Sequence, residues 1–193
     1  MNKKKLAYPL GDFGVWIIIY IELLTFGLFF IGFAISRQNQ VEIFNTSQLL
    51  LDQRFGFINT LLLITSSYFV VKAVKIIKTI NTKEYFQKAS YYILSAIGFG
   101  GIFLLIKMFE LGSKYSAGIN LSTNSFFMFY FILSVFHFMH VILGMIILTH
   151  LYLNTKAGLY TQKEHRGLES GASYWHMVDL LWIVLFPLLY ILR

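Results

Sequence analysis

The chain has 193 residues, of which 57% are hydrophobic, 18% aromatic and 13% charged; that is about half the charged share of an ordinary soluble domain. With a mean hydropathy of +0.66, a soluble fold of this size could not hide its apolar surface, so the composition excludes a water-soluble protein and points to a membrane protein. The formal net charge of +7 imitates a nucleic-acid binder, but here it reads as loop cations facing an anionic leaflet, and no nucleic-acid partner is expected.

The N-terminus opens with Lys3, Lys4 and Lys5, like a signal peptide. The apolar run that follows is about 22 residues, too long for an h-region, and no small-x-small cleavage site closes it, so it is kept as a span. The apolar runs predict five membrane helices in an all-α polytopic protein, at approximately 14–35, 57–77, 91–108, 126–153 and 172–192. At about 20 residues per span they leave no room for a sizeable extramembrane domain, so residues 1–193 form one transmembrane domain. The third span is the weakest, with Gly98, Gly100 and Gly101 inside it. In a bilayer such glycines permit close helix approach, and Ala96 with Gly100 makes a small-xxx-small packing step. The segments 39–54, 113–125 and 154–171 are expected to be polar loops.

Orientation follows from the cations. With the N-terminus cytoplasmic, the inner side carries Lys3, Lys4, Lys5, Lys72, Lys75, Lys78, Lys83, Lys88, Lys156, Lys163 and Arg166. The outer side carries Arg37, Arg54, Lys107, Lys114 and Arg193. The asymmetry predicts a cytoplasmic N-terminus and a periplasmic C-terminus. The chain has no cysteine, which excludes disulfides, iron–sulfur clusters and thiolate metal sites. Nucleophile elbows, phosphate loops and zinc motifs are absent.

Chemistry is sought first among ionisable residues within the spans, where each is costly: Glu22, Glu110 at a helix end, His137, His140, His150, His176 and Asp179. Counted from the helix ends at 1.5 Å per residue, Glu22 lies roughly 12 Å and Asp179 roughly 10 Å from the inner face. They share a depth. His176, three residues before Asp179, shares its face. For Asp179 an interhelical polar tie is expected; for Glu22 the choice between such a tie and proton movement or lipid contact stays open. His137 and His140 are spaced i, i+3 and should face one way. A bis-histidine haem needs matched depths, yet His140 lies roughly 20 Å and His176 roughly 6 Å from the inner face. His150, roughly 5 Å in, matches His176 better, which keeps an independent b-type cytochrome as the alternative. Hydrogen bonds to neighbouring helices are the expected role of the histidines, with no metal.

Several segments carry a resemblance. From Glu169 through Tyr174, Trp175, His176, Val178, Asp179 and Trp182 to Tyr190, the chain resembles the last helix of subunit III of haem–copper oxidases. There the family shows a Glu followed by Trp-His-Phe-Val-Asp-Val-Val-Trp. His137-Phe-Met-His140-Val141, ending in Gly144, is similar to the penultimate helix of that family. The stretch from Glu22 to Phe30 and the one from Asn59 and Thr60 to Ser66 and Ser67 resemble two earlier helices, and Glu110 falls where the family has a Glu. The matches cover residues 10–192 in order and look like a five-span form lacking the first two family helices. Segment 123–130 and the Phe186-Pro187 ending most resemble the NorE type, which is encoded beside nitric oxide reductase in denitrification.

The resemblance implies a non-catalytic accessory subunit of a bacterial inner-membrane respiratory complex, serving aerobic electron transport or nitric oxide reduction. Haem and copper would lie in a partner, the oxidase or nitric oxide reductase large subunit, and none in this chain. Bound phospholipid is implied as well. Glu22 matches the family's carbodiimide-reactive carboxyl, linked to proton uptake. Glu22, His137, His140, Glu169, His176 and Asp179 are carried over as lipid-linked, proton-linked or structural polar positions, none of them catalytic.

Overall fold

A computed structural model describes residues 12–79, 83–162 and 164–192. Six helices follow one another: α1 Phe13–Asn39, α2 Val41–Gln48, α3 Gln53–Thr79, α4 Lys83–Ser116, α5 Ser125–Lys156 and α6 Arg166–Tyr190. The described residues contain no strand. All but α2 are long and apolar enough to cross a membrane. Of the charges used for orientation, Lys3, Lys4, Lys5, Lys163, Arg193 and the side chain of Lys83 lie outside the described residues.

The helices overrun the predicted spans because helix-forming polar residues carry each one past its apolar run. Glu84, Gln87 and Lys88 open α4, a type of residue that propagates a helix well in water. With 34 residues, α4 is about 51 Å long, well beyond a hydrocarbon core of about 30 Å. Asp12 caps α1 by accepting from the Gly14 amide, and Asn124 caps α5 by accepting from Phe127. Each satisfies one of the amides left free at a helix start.

Segment 39–54 is not the open loop expected. It folds into α2, whose Phe44 is buried edge-on against Phe33 and Phe126, with ring centroids at 5.1 and 5.6 Å. Gln48 donates from Nε2 to the Leu189 carbonyl, and Asn124 Nδ2 donates to Ser47 Oγ. An eight-residue helix is too short to hold itself in water, so these tertiary contacts fix it.

α3, α4, α5 and α6 form a closed ring in which each helix packs on its two neighbours. Trp175 of α6 wedges between α4 and α5. A Cβ on Gly100 would stand 2.9 Å from its ring, and one on Gly144 2.7 Å. Those two glycines are notches for one indole, which accounts for the small-xxx-small step beginning at Ala96. The α3–α6 joint is antiparallel and polar along its length: Lys78 pairs with Glu169, Ser67 bonds His176, Trp182 donates to Thr60, and Gln53 donates to the Tyr190 carbonyl.

α1 lies outside the ring against α5 and α6. Its buried residues are Ile19, Phe26 and Phe33, spaced by seven. That spacing gives a single narrow seam. Phe26 packs on Phe136 at 5.2 Å and Phe33 on Phe129 at 5.8 Å. The other faces of α1 carry exposed apolar residues such as Ile21, Leu24 and Leu28, suited to lipid.

Candidate functional site

Glu22 emerges from the α1 seam and meets α5. Its Oε2 lies 2.8 Å from His140 Nε2. His140 Nδ1 lies 2.7 Å from the Phe136 carbonyl. A carbonyl only accepts, so Nδ1 carries a hydrogen, and a single proton lies between Nε2 and the carboxyl. The imidazole is flanked by Phe136 at 4.7 Å and Phe26 at 5.4 Å. The pair is not sealed: the Glu22 side chain keeps 24% of its exposure.

This contact corrects the depths counted from helix ends, which set Glu22 and His140 apart. α5 runs to Lys156 while α1 starts at Phe13, and the end of α5 overshoots the start of α1. Helix ends therefore do not share a plane. Between α1 and α6 the count works better. The Asp12 amide donates to Ser170 Oγ at 2.7 Å, so Glu22 and Asp179 both lie roughly 14 Å further in. They still face different neighbours.

His137 and His140 both reach Phe26 of α1, at 6.5 and 5.4 Å, but their other surroundings differ. His140 turns to α1. His137 is buried between Phe103 at 5.8 Å and Trp182 at 5.3 Å, and neither of its ring nitrogens has a hydrogen-bond partner among the described residues. The helix-to-helix hydrogen bond expected of it is not made among the described residues, because its ring lies among the rings of Phe26, Phe103 and Trp182. His176 Nδ1 lies 2.9 Å from Ser67 Oγ on α3. Asp179 also lies beside Ser67, but its Oδ1 has no hydrogen-bond partner among the described residues. His150 turns to Asn154 on its own helix at 2.9 Å, while His176 meets α3. Glu169, in the first turn of α6, pairs with Lys78 and lies 3.4 Å from His165.

The most enclosed charged side chain was not read from the sequence. Lys107, counted there as an outer loop cation, is 1% exposed. Its Nζ donates to Glu110 Oε2 at 3.1 Å and to the Tyr190 hydroxyl at 2.7 Å. Glu110 Oε1 accepts from Tyr130 at 3.0 Å and from Tyr190 at 2.5 Å. The ammonium stands 5.1 to 5.2 Å from the ring centroids of Tyr130, Trp182 and Tyr190, within cation–π range. The signal was present in the i, i+3 spacing of Lys107 and Glu110 at the end of an apolar run, since a charge there is affordable when paired.

The arrangement is that of a polytopic helical membrane protein whose buried polar groups mostly join one helix to the next. Among the described residues, no three His, Cys, Asp or Glu are placed to hold a metal ion. The family model for cytochrome c oxidase subunit III matches residues 10–193. The chain is 30% identical over 189 residues to a cytochrome c oxidase subunit 3 of Thermostichus vulcanus, covering 93% of this chain and 86% of that one. It is 32% identical over 189 residues to the cytochrome bo(3) ubiquinol oxidase subunit 3 of Buchnera aphidicola, covering 93% and 85%. It is also 28% identical to part of a heme-copper oxidase subunit I+III of Aeropyrum pernix, covering 92% of this chain and 22% of that one. The chain belongs to the cytochrome c oxidase subunit III family.

Proposed function

We propose that this chain is a non-catalytic accessory subunit of a haem–copper respiratory complex in a bacterial inner membrane, docking to the large subunit that carries haem and copper. The family match over residues 10–193 carries this reading. The Aeropyrum relative, by its name a subunit I+III, supports a large-subunit partner. An oxygen-reducing oxidase is the first choice of complex, because the relatives are named as oxidase subunits. Segment 123–130 and the Phe186-Pro187 ending favour a nitric oxide reductase as the second.

Within that complex Glu22 and His140 serve as a proton-linked or lipid-linked pair, supported by their shared proton and partial exposure. His176, Asp179 and Glu169 tie α6 to α3, and His137 fills the core. The N-terminus is cytoplasmic and the C-terminus periplasmic. With Lys107 removed from the loop cations, the inner side outweighs the outer more strongly. Phospholipid stays bound to the exposed apolar faces.

A mild-detergent pull-down from native membranes, with an optical spectrum and mass identification, tests the reading. The expected result is a haem-containing large subunit in stoichiometric amount, an oxidase in the first choice and a nitric oxide reductase in the second. A chain recovered alone and colourless would sink the subunit assignment.

A further inference from the structure

Inside the four-helix ring, three buried side chains keep polar atoms with no hydrogen-bond partner among the described residues: both ends of the Asn59 amide, Ser134 Oγ and both ring nitrogens of His137. Asn59 is 0% exposed and the other two are 1% exposed. They share one level. The Ser66 hydroxyl donates to the Ala96 carbonyl, and seven residues along from each, on antiparallel helices, stand Asn59 and Phe103. Tyr130 donates to Glu110, and seven residues along from that bond Phe103 meets His137, with ring centroids 5.8 Å apart. Ser134 stands three residues before His137, on the adjacent turn of α5. Trp182 reaches both sides: its ring lies 5.3 Å from His137, and its Nε1 donates to Thr60, the chain neighbour of Asn59.

A buried donor or acceptor left unpaired costs more than an ordinary hydrogen bond gains, and five such atoms collect here. Hydroxyls elsewhere in the helices avoid that cost locally: Thr65, Ser95 and Thr149 each donate to the carbonyl four residues back. Ser134 does not make that bond, so its hydroxyl is kept for another partner. The set calls for a molecule that both donates and accepts. The amide offers both functions, and so do the neutral imidazole and the hydroxyl. None of the three is a carboxylate that would match a cation. Lys107, one turn from Phe103, is already compensated by Glu110, which leaves no net charge for an anion. Water is the smallest molecule of the required chemistry, and a buried water holds about two to four polar groups of this kind. We propose that the ring interior binds an ordered water cluster held by Asn59, Ser134 and His137. α3 and α5 sit on opposite sides of the ring, each packed on α4 and α6, so the waters connect two helices that the ring keeps apart. The site rests on the ring alone and is independent of which complex the chain serves.

The test is a set of variants of the full chain in detergent, read by thermal unfolding. His137→Phe and Asn59→Leu are each expected to lower the melting temperature by roughly 2–4 °C, because the waters and the groups left behind lose a partner. The triple variant Asn59→Leu, Ser134→Ala and His137→Phe should regain most of that loss, since no group is left that water must hold; the three changes are then strongly non-additive, as residues of one network are. In a dry interior the signs reverse. Each single change then removes orphan polar atoms, and a melting temperature unchanged or raised in both single variants would overturn the proposal. Where a single variant does not fold, the wild type decides alone. Water-edited solid-state NMR of the chain in lipid bilayers, with ring-15N histidine, should carry water magnetisation to the His137 nitrogens, which are assigned by their loss in the triple variant. His165, at the start of α6, is the positive control. A His137 that receives nothing from water while His165 does would overturn the site.

Discussion

Lys107 and Glu110 are sealed among aromatic rings inside the four-helix ring, whereas Glu22 and His140 meet across the joint between that ring and a peripheral helix. Every polar atom of the first cluster is satisfied from α4, α5 and α6, and its ion pair is 1% and 4% exposed. The second pair draws one member from a helix attached along a single seam, with Glu22 24% exposed. A buried, fully bonded charge pair is costly to form and more costly to break, so it fixes which helices assemble. A half-open pair at the edge of one seam holds less of the fold. The comparison separates a cluster sealed among three helices from a pair left partly open beside a peripheral one.

The sharpest way to break this contrast is to strand a charge. Glu110→Ala leaves the Lys107 ammonium buried without its carboxylate, and the expected loss is about 3–5 kcal/mol. Thermal unfolding in detergent and the yield of monodisperse chain read it. Replacing the whole cluster, Lys107→Met and Glu110→Leu with Tyr130→Phe and Tyr190→Phe, should recover most of that loss, because apolar side chains of similar volume leave neither a charge nor a hydroxyl unpaired. A fourfold variant as poor as the single would show that the cluster does more than avoid orphan polar groups. Gly144→Leu drives a side chain into Trp175 and should cost ~1–3 kcal/mol through overpacking, which calibrates the scale with no charge involved. Tyr190→Phe removes one donor to Glu110 and one acceptor for Lys107; a drop of about 1 kcal/mol is expected, at about 0.6 kcal/mol for each intramembrane hydrogen bond. Smallest of all in stability is Glu22→Gln, since the amide still donates to His140 Nε2. Its melting temperature should match the wild type while sustained turnover of the assembled complex falls. Unchanged turnover with unchanged lipid content would return Glu22 to a plain structural role.

The spans were legible because long apolar runs leave a helix no alternative in lipid. The notch at Gly100 was legible as packing, though not the one at Gly144 or their common tenant. What could not be read was lateral arrangement. Lys107 looked like a loop cation because it stands where an apolar run gives way to charge, and only the rings of Tyr130 and Tyr190, supplied by two other helices, reveal it as interior. α2 was missed because its eight residues carry no long period, and the ring contacts of Phe44 decide its shape. Depths counted along single helices placed Glu22 level with Asp179 but misplaced His140, since each helix starts at its own height. The two histidines one turn apart share Phe26, and the motif concealed that His140 alone meets Glu22 while His137 lies against Phe103 and Trp182.

The Trp175 wedge has a consequence for how such chains vary over time. One indole occupies space given up by two glycines on two other helices, so none of the three positions is free to drift alone. A methyl at position 144 is tolerable only in a lineage that has already traded the indole for a smaller side chain, and one at position 100 needs the flexible Met145 side chain, 2.7 Å away, to give as well. Positions 100, 144 and 175 should therefore change as a set when many relatives are aligned, and an alignment in which they vary independently would mean that the helices respace themselves more readily than this packing allows.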